Sequence, residues 1–534
     1  MSAATVAFVA VHAQFASVPE ARAQEEVQAE RPAPQQDVGL DGYDGPGLIL
    51  DLMPPPDAKG RPMILELGAF GAIRGELVSA IPVDRDGNEW APGPVMNAFM
   101  RLHARFDTGT VLPSVTLRAE TEHDVPTGVL GPTPDLEGEG YPGAGFAEYH
   151  LRKANVGAAF GPCFAVDVGW MTSHWGMGLL ANDGAHGWQP GSARFIDPRG
   201  GDRVARLRLM TGPYREALGL TVVLAADILD GDYFADDDIL LEGDYARQLI
   251  GAVRLGDLVN YGGIYAAYRQ QRTPVVGSIG DTRATDVLAI DGNLRLEHRE
   301  GQASIAFETE AALVIGTTEL APSVDFPEHD VLQFGAAARV NAGIPAFGGV
   351  VDFLFASGDQ NLDDNQQNAF RPDPNYEMGL LLFRQVLAAQ SARSRFTAGD
   401  PSLVGLPAEN LERLPTHGSA ANTIAVFPRL RGRPIDGLEI YGGPLFALAA
   451  VPPTDPLGTR SNGGQSSSSL GGIADDILGV ELDLGARYRV YFGGPQLTLG
   501  VEAGALKPGN ALRDLALVDM DWTFGGRTML DLRL

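Results

Sequence analysis

The chain has 534 residues, of which 44% are hydrophobic, 67 are glycine and one is cysteine, and its formal net charge is −28. It contains no run of about 18 apolar residues, which excludes membrane-spanning helices, because each must cross about 30 Å of hydrocarbon. The single Cys163 excludes an intrachain disulfide and a Cys/His metal cluster. The acid excess argues against a nucleic-acid partner, whose phosphates require a basic surface.

The first 60 residues have the character of an export segment. A short apolar stretch at 6–11 precedes Ala21, Arg22 and Ala23, a small-x-small pattern that is typical of signal-peptide cleavage. We therefore expect a signal peptide over residues 1–23, with a disordered alanine-rich tail as the alternative. Residues 24–60 are rich in Pro, Gln and Glu, which predicts a flexible periplasmic leader.

The remaining chain, residues 61–534, alternates apolar and polar side chains. Between residues 100 and 106, for example, Arg101, His103 and Arg105 alternate with apolar residues. Because a strand projects successive side chains to opposite faces, such a segment has one apolar and one polar face. About eighteen segments of this kind occur, near residues 62–78, 95–107, 113–123, 146–156, 163–173, 202–211, 219–229, 245–256, 258–271, 286–299, 302–315, 330–342, 348–357, 419–432, 437–450, 476–491, 494–506 and 520–534.

The connections between these segments are sorted by length. Links after even-numbered strands are tight, as at 300–301, whereas links after odd-numbered strands are long, as at 174–201 and 358–418. This sorting is typical of outer-membrane barrels, with short periplasmic turns and long outer loops. We therefore predict an all-β fold: a transmembrane antiparallel β-barrel of about 18 strands with both termini in the periplasm. Pro428 removes a backbone donor from one strand, which predicts a bulge or a misplaced boundary.

The predicted location is the cell outer membrane. The expected partners are therefore outer-membrane lipid, lipopolysaccharide, the outer-membrane assembly machinery and a hydrophilic solute. A barrel of eighteen strands is too wide for side chains to fill, so we expect a water-filled channel that inward-folded loops narrow.

The strand faces that point into this lumen carry both signs of charge. The arginines predicted to line the pore are Arg101, Arg105, Arg118, Arg206, Arg208, Arg295, Arg429, Arg431, Arg487 and Arg489. The same faces carry Glu120, Glu122, Asp291, Glu297, Glu308, Glu310, Glu481, Asp483, Glu502 and Asp531. Two interpretations stay open. The charges form Arg–carboxylate ladders that hold the wall, or neighbouring arginines form a track for an anionic solute, since guanidinium binds carboxylate in a bidentate fork.

Two loop segments carry recognisable sequence. One spans 169–184, and the other runs from Ser357-Gly358-Asp359 through an Asn/Asp-rich stretch to Phe370 and Pro372. The second segment resembles the alginate-export family of outer-membrane porins, and together the two are similar to a related group of large Gram-negative barrels. The resemblance implies an 18-stranded barrel for passive passage of a solute, in the best-known case an acidic exopolysaccharide. The acids on the lumen faces depart from that family's basic channel.

The second loop also suggests a cation site. Asp359, Asn361 and Asp363 are spaced two apart, and oxygen ligands at this spacing can wrap Ca²⁺. The motif is no EF-hand, because Asp364 stands at the position that needs Gly and Phe370 at the one that needs Glu. The alternative is a solvated turn of Asx residues. Residues 378–392 have helical spacing, which predicts a short helix folded over or into the pore mouth.

The sequence therefore predicts a porin-like channel for passive diffusion or export of hydrophilic solutes, anionic carbohydrate or polysaccharide among them. The alternative is a closed barrel that acts as a surface receptor or adhesin through long acidic loops such as 230–244. We expect no required cofactor beyond the Ca²⁺ site and no enzymatic activity. His174 lies near Asp183, but no nucleophile with a companion base accompanies them.

Overall fold

The computed structural model describes residues 48–51, 63–109, 113–126, 148–160, 164–198, 200–230, 240, 243–257, 259–275, 278–322, 325–362, 364–399, 410, 413–455, 467–473, 475–492 and 494–534. Eighteen long strands dominate this part of the chain. They are β1 (Ile64–Val78), β2 (Val95–Asp107), β3 (Ser114–Pro126), β4 (Glu148–Ala159), β5 (Phe164–Thr172), β6 (Arg203–Tyr214), β7 (Leu220–Asp230), β8 (Tyr245–Gly256), β9 (Tyr261–Pro274), β10 (Thr282–Glu300), β11 (Ala303–Thr318), β12 (His329–Ile344), β13 (Phe347–Ala356), β14 (Thr423–Ile435), β15 (Leu438–Ala449), β16 (Ile477–Tyr491), β17 (Gln496–Pro508) and β18 (Thr523–Arg533).

The eighteen strands form one closed antiparallel sheet in chain order. Each strand pairs with the next, from β1 with β2, where Phe70 lies opposite Arg101, to β17 with β18, where Leu499 lies opposite Leu530. β18 also pairs with β1, placing Leu530 opposite Ile73. Closure satisfies the backbone N–H and C=O groups that an open sheet edge would leave exposed.

The predicted strand number, order and sorting of connections are confirmed. Observed strand ends differ from the predicted ends by at most four residues. Tight turns follow the even-numbered strands, and the long loops, such as 173–202 and 357–422, follow the odd-numbered ones. Because neighbouring strands are antiparallel, all long loops lie at one end of the barrel and all tight turns at the other.

The bulge, one of the two alternatives predicted at Pro428, is absent, whereas the strand boundaries lie four and three residues from the predicted ones. β14 continues through this residue in a constant register with β15, from Val426 opposite Phe446 to Leu430 opposite Gly442. That register places Pro428 opposite Pro444, so the two residues that lack an N–H donor face each other. The strand pair therefore has one local gap in its ladder instead of a bulge at Pro428.

The two faces of the sheet differ in polarity as predicted. In β2, Met100 and Leu102 on the outer face are 42% and 40% exposed, whereas Arg101 and His103 on the inner face are 4% and 9% exposed. Exposed aromatic residues stand on the outside near both ends of the barrel. Those at the tight-turn end are Phe160, Phe164, Tyr214, Phe347, Tyr491 and Phe492, and the loop end carries Trp522 and Phe524. A closed sheet with an apolar exterior and a polar interior spans a membrane.

The remaining elements lie mainly in the loops. A short hairpin, Ile81–Pro82 with Glu89–Trp90, lies between β1 and β2. The predicted helix of the longest loop is confirmed as a π-helical turn, Leu382–Leu387, that continues as α1, Ala388–Gly399. Among the described residues, no helix is long and apolar enough to cross a membrane.

The other described elements are two 3₁₀ turns and two short strands. Single 3₁₀ turns occupy Arg215–Ala217 and Asn510–Leu512, and the two-residue strand Gln366–Gln367 pairs in parallel with β12. Leu48–Asp51, within the predicted leader, pairs with the first residues of β1. The predicted signal peptide, residues 1–23, lies outside the described residues.

Candidate functional site

The loop that follows β5, residues 173–202 and named L5 here, folds into the barrel. Near its start, Trp175 donates its indole Nε1–H to Asp291 of β10 at 2.9 Å, and the backbone N–H of Leu179 donates to Glu310 of β11 at 3.0 Å. Both carboxylates lie on the inner face at mid-strand and are fully buried. L5 therefore starts at the outer mouth and crosses the lumen to β10 and β11.

The second half of L5 runs deep into the lumen. The backbone N–H of Gly191 donates to both carboxylate oxygens of Glu439 at 3.0 and 2.9 Å. Glu439 is the second residue of β15 and so lies at the tight-turn end of the barrel. On the way back, Asp197 forms an ion pair with Arg74 of β1 at 2.9 Å. L5 thus contacts widely separated strands, and it narrows the lumen along most of the length of the barrel.

The longest loop, residues 357–422 and named L13, also enters the barrel. The backbone N–H groups of Leu380, Leu381 and Leu382 donate to the carboxylate of Glu481 in β16, at 2.6, 2.9 and 2.8 Å. These residues lead into the helix of L13, whose first turn has no partners of its own for its N–H groups. The Glu481 carboxylate supplies those partners and fixes the helix to the inner wall.

Apolar packing joins both loops to the wall. Phe195 of L5 packs against Phe427 and Tyr441, with ring centroids 5.8 and 5.0 Å apart. Phe370 of L13 lies against Gly335 of β12, where an added Cβ would be 2.2 Å from the phenyl ring. The glycine therefore makes room for the aromatic ring. The two loops and the inner wall share one buried apolar cluster on this side of the barrel.

A further contact ties L13 to the loop between β1 and β2. Arg393 of α1 donates to Asp84 at 2.7 Å, and Asn88 donates to the same carboxylate at 2.7 Å. Burial alone would raise the pKa of Asp84, but these hydrogen bonds outweigh it and lower the pKa below its usual range. The carboxylate therefore stays ionised at neutral pH and holds the two outer loops together.

The ten arginines that the sequence predicts to line the pore all belong to inner strand faces, and eight of them form ion pairs. The pairs are Arg101–Glu122, Arg105–Asp107, Arg118–Asp167, Arg206–Asp227, Arg208–Asp167, Arg295–Glu308, Arg429–Asp352 and Arg487–Glu502. Arg431 and Arg489 form no ion pair with a described residue; Arg431 donates to the carbonyl of Ile344, and Arg489 lies over the Trp188 ring. These contacts favour the ladder interpretation at the paired positions.

One group of arginines exceeds its carboxylates in number. Arg339 of β12 and Arg429 of β14 both bind Asp352 of β13, Arg339 at 2.6 Å. Arg194, from the deep half of L5, interacts electrostatically with all three groups and with Tyr376 of L13. We name Arg194, Arg339 and Arg429 the arginine cluster. Asp352 binds two of these guanidinium groups, and Arg339 also contacts Glu308, which Arg295 shares. Four guanidinium groups therefore face two carboxylates, which leaves an excess of positive charge around the cluster.

The charge of Arg194 is held in an unfavourable environment. Burial first and the nearby Arg339 second lower the pKa of Arg194 to about 9, although Asp352 opposes the shift. An anion beside Arg194 would relieve this repulsion, because it adds the negative charge that the cluster lacks. Sequence reasoning missed Arg194 and Arg339. Arg339 follows the same inward alternation as the other arginines, whereas Arg194 lies in a loop without periodicity.

The predicted Ca²⁺ segment is described only in part. Asp359 accepts backbone hydrogen bonds from Asn361 at 3.0 Å and from Asn368 at 3.1 Å, one on each carboxylate oxygen. Asp363 lies outside the described residues. The Asp359 carboxylate thus organises the backbone of the turn, and the Ca²⁺ site stays a prediction.

No protein-family model matches the chain, and no curated protein matches its sequence. Among solved structures, Acinetobacter baumannii OccAB1 is 10% identical with a TM-score of 0.46, over 88% of this chain and 96% of that one. Pseudomonas aeruginosa OccK2 (OpdF) is 9% identical with a TM-score of 0.48, over 88% and 97%. The outer-membrane protein OpdK of the same organism is 11% identical with a TM-score of 0.45, over 88% and 98%.

Because these likenesses are distant, the membrane assignment depends on the barrel's own geometry. An even number of strands in one closed antiparallel sheet, an apolar belt with aromatic residues at both rims, and loops sorted by length occur together in outer-membrane barrels. The chain is an outer-membrane β-barrel. Its outer face contacts lipid, and its charged inner face is suited to hydrophilic solutes.

Proposed function

We propose that the barrel is a passive outer-membrane channel for small hydrophilic solutes, with a preference for anions. The observation that carries the proposal is the arginine cluster, where L5 brings Arg194 to two wall arginines that share Asp352. A narrow passage with excess guanidinium charge attracts anions and repels cations. A carboxylate-bearing solute fits best, because guanidinium groups bind carboxylates in a bidentate manner.

The attachment of L5 and L13 inside the lumen limits the size of the solute that can pass. Both loops occupy the lumen and are fixed to it by buried carboxylates, Glu310 and Glu439 for L5 and Glu481 for L13. A small solute can pass such a constriction without displacing either loop, whereas a polymer needs a continuous wide path. We therefore favour small organic anions over the polysaccharide that the alginate-export resemblance implies. We also propose contact of the outer loops with lipopolysaccharide, and insertion by the outer-membrane assembly machinery.

Reconstitution of the full chain in planar bilayers and vesicles tests this function. Under a KCl gradient we expect discrete conductance and a reversal potential that reports chloride permeating faster than potassium. In sodium gluconate, vesicles that hold this protein should swell faster than vesicles that hold a channel of inverted charge preference. In long polysaccharide they should swell slowly. A folded barrel that prefers cations would contradict the proposed anion preference but not the proposed channel function.

A closed barrel that serves as a surface receptor is the second candidate. The observation in its favour is the apolar cluster that fills one side of the lumen, in which Phe195, Phe370 and Leu381 are each at most 2% exposed. A protein that is folded and inserted but electrically silent would support this candidate over the channel. The same bilayer recording therefore separates the two functions.

A further inference from the structure

Two histidines and an aspartate converge near the start of L5. The imidazole Nδ1 of His186 lies 2.9 Å from Oδ1 of Asp183, and Nδ1 of His174 lies 3.8 Å from the same oxygen. The two imidazole rings stack with centroids 3.9 Å apart and planes inclined by 27°. Among the His, Cys, Asp and Glu side chains of the described residues, this is the one group of three whose ligand atoms all lie within 4.8 Å of one another.

The burial of these groups separates them from an ordinary surface cluster. The Asp183 side chain is fully buried, and Nδ1 of His174 is buried without a hydrogen-bond partner. The Asp183 carboxylate accepts hydrogen bonds from the His186 ring and from the backbone N–H of Ala185, at 2.9 and 3.0 Å. The unsatisfied imidazole nitrogen of His174 is costly unless a cation or a donor reaches it. The His174 and His186 side chains are 18% and 27% exposed, so an ion from solution can reach the site.

We propose that His174, Asp183 and His186 bind one divalent first-row transition-metal ion of the Zn²⁺ class. Imidazole nitrogen and carboxylate oxygen are preferred donors for such ions, and three protein ligands leave a coordination position for water. Donor atoms around tetrahedral Zn²⁺ lie about 3.3 Å apart at bond lengths of about 2.0 Å. The two observed Nδ1–Oδ1 distances, 2.9 and 3.8 Å, lie on either side of this spacing.

The position of the site gives it a structural role in L5. His174 is two residues after the end of β5, and Asp183 and His186 follow the contact of Leu179 with β11. A bound ion would therefore join the segments before and after this contact. The same segment is held to the wall, because Arg152 of β4 donates to the carbonyl of Asp183. The ion would fix how L5 enters the lumen, whether or not the channel conducts.

Zinc binding to the full chain, purified in detergent at neutral pH, tests the site. Titration of the metal-free protein with Zn²⁺ against a fluorescent chelator should give one site per chain. His174→Ala and His186→Ala should each weaken it at least about 10-fold, since even outer-shell ligand changes cost that much. His298→Ala is the matched control, because it removes an exposed histidine of β10 far from L5 in sequence. It should leave the affinity unchanged.

Two further readouts keep the result interpretable. Co²⁺ in place of Zn²⁺ should give a visible absorption spectrum of nitrogen and oxygen coordination, which both histidine variants lose and His298→Ala keeps. A heat-dependent shift in gel mobility verifies that every variant retains the closed barrel. Zinc affinity that is equal in all four folded proteins, or the absence of a saturable site in the parent protein, would overturn the proposal.

Discussion

At the scale of single residues, the alternation of apolar and polar residues predicts which face of the sheet a side chain points to, but not which residue it forms an ion pair with. Arg206 and Arg208 are each 3% exposed, and Leu207 between them is 46% exposed, because side chains of a strand alternate strictly between faces. Their partners, Asp227 on β7 and Asp167 on β5, depend on the register of two different neighbours. The register between strands cannot be read from one strand alone, so the sequence leaves both the ladder and the track open.

Arg194 provides a test at this scale. Arg194→Gln removes one of three guanidinium groups around Asp352, so the ratio of anion to cation permeability should fall severalfold in bilayer recordings. Arg247→Gln is the control, because it removes the same charge from the outer face of β8. An equal fall in both variants would mean that the overall charge of the barrel, and not the cluster, sets the preference.

At the scale of elements, the sequence predicts the strands and the L13 helix but not where the loops go. Helical spacing between 378 and 392 is local, and the helix over 382–399 confirms it. The bonds that draw this helix inward join a wall carboxylate, Glu481, to backbone N–H groups. Any residue except proline supplies such a donor, so no pattern of side chains in L13 predicts the contact.

Removal of that anchor should release L13. Glu481→Ala leaves three buried backbone N–H groups without acceptors, each costing about 1–3 kcal/mol. We expect trypsin to cut at Arg384 or Arg393 faster, and single-channel conductance to rise, while the barrel stays folded. Glu297→Ala is the matched control, since Glu297 is buried among Arg295 and Arg299 and holds no outer loop. Unchanged proteolysis in Glu481→Ala would show that apolar packing alone retains L13.

At the scale of the whole molecule, average composition conceals a division in space. The net charge of −28 and an apolar share of 44% suit a soluble protein, yet the apolar residues of the strands form a continuous outer belt. The alternation along strands and the alternation of short and long connections predict the apolar exterior and the polar interior from sequence. Both patterns follow from the two-residue period of a strand and from the antiparallel direction of neighbouring strands. The charge excess of the arginine cluster could not be recovered, because it requires L5 to meet β12 and β14 inside the closed sheet.

The belt can be tested with two leucines of matched exposure. Leu249, near the middle of β8, is 64% exposed on the outer face, and Leu515, in the outer loop before β18, is 66% exposed. Leu249→Arg should lower the free energy of unfolding in lipid vesicles by about 2–4 kcal/mol, because it places a charge in hydrocarbon. Leu515→Arg should have little effect, because its side chain meets water. Equal effects would place Leu249 outside the bilayer.

The carboxylates that hold L5 and L13 have a consequence for how this barrel can diverge. Glu310, Glu439 and Glu481 belong to the wall, and each accepts hydrogen bonds from the loop backbone. At these three contacts the strand supplies the side chain, so loop positions outside the side-chain contacts of Trp175, Phe195, Asp197 and Phe370 can exchange their side chains without detaching the loop. A barrel of this kind can acquire a new solute preference by substitutions in L5 or L13 alone, while the scaffold that positions them stays constant.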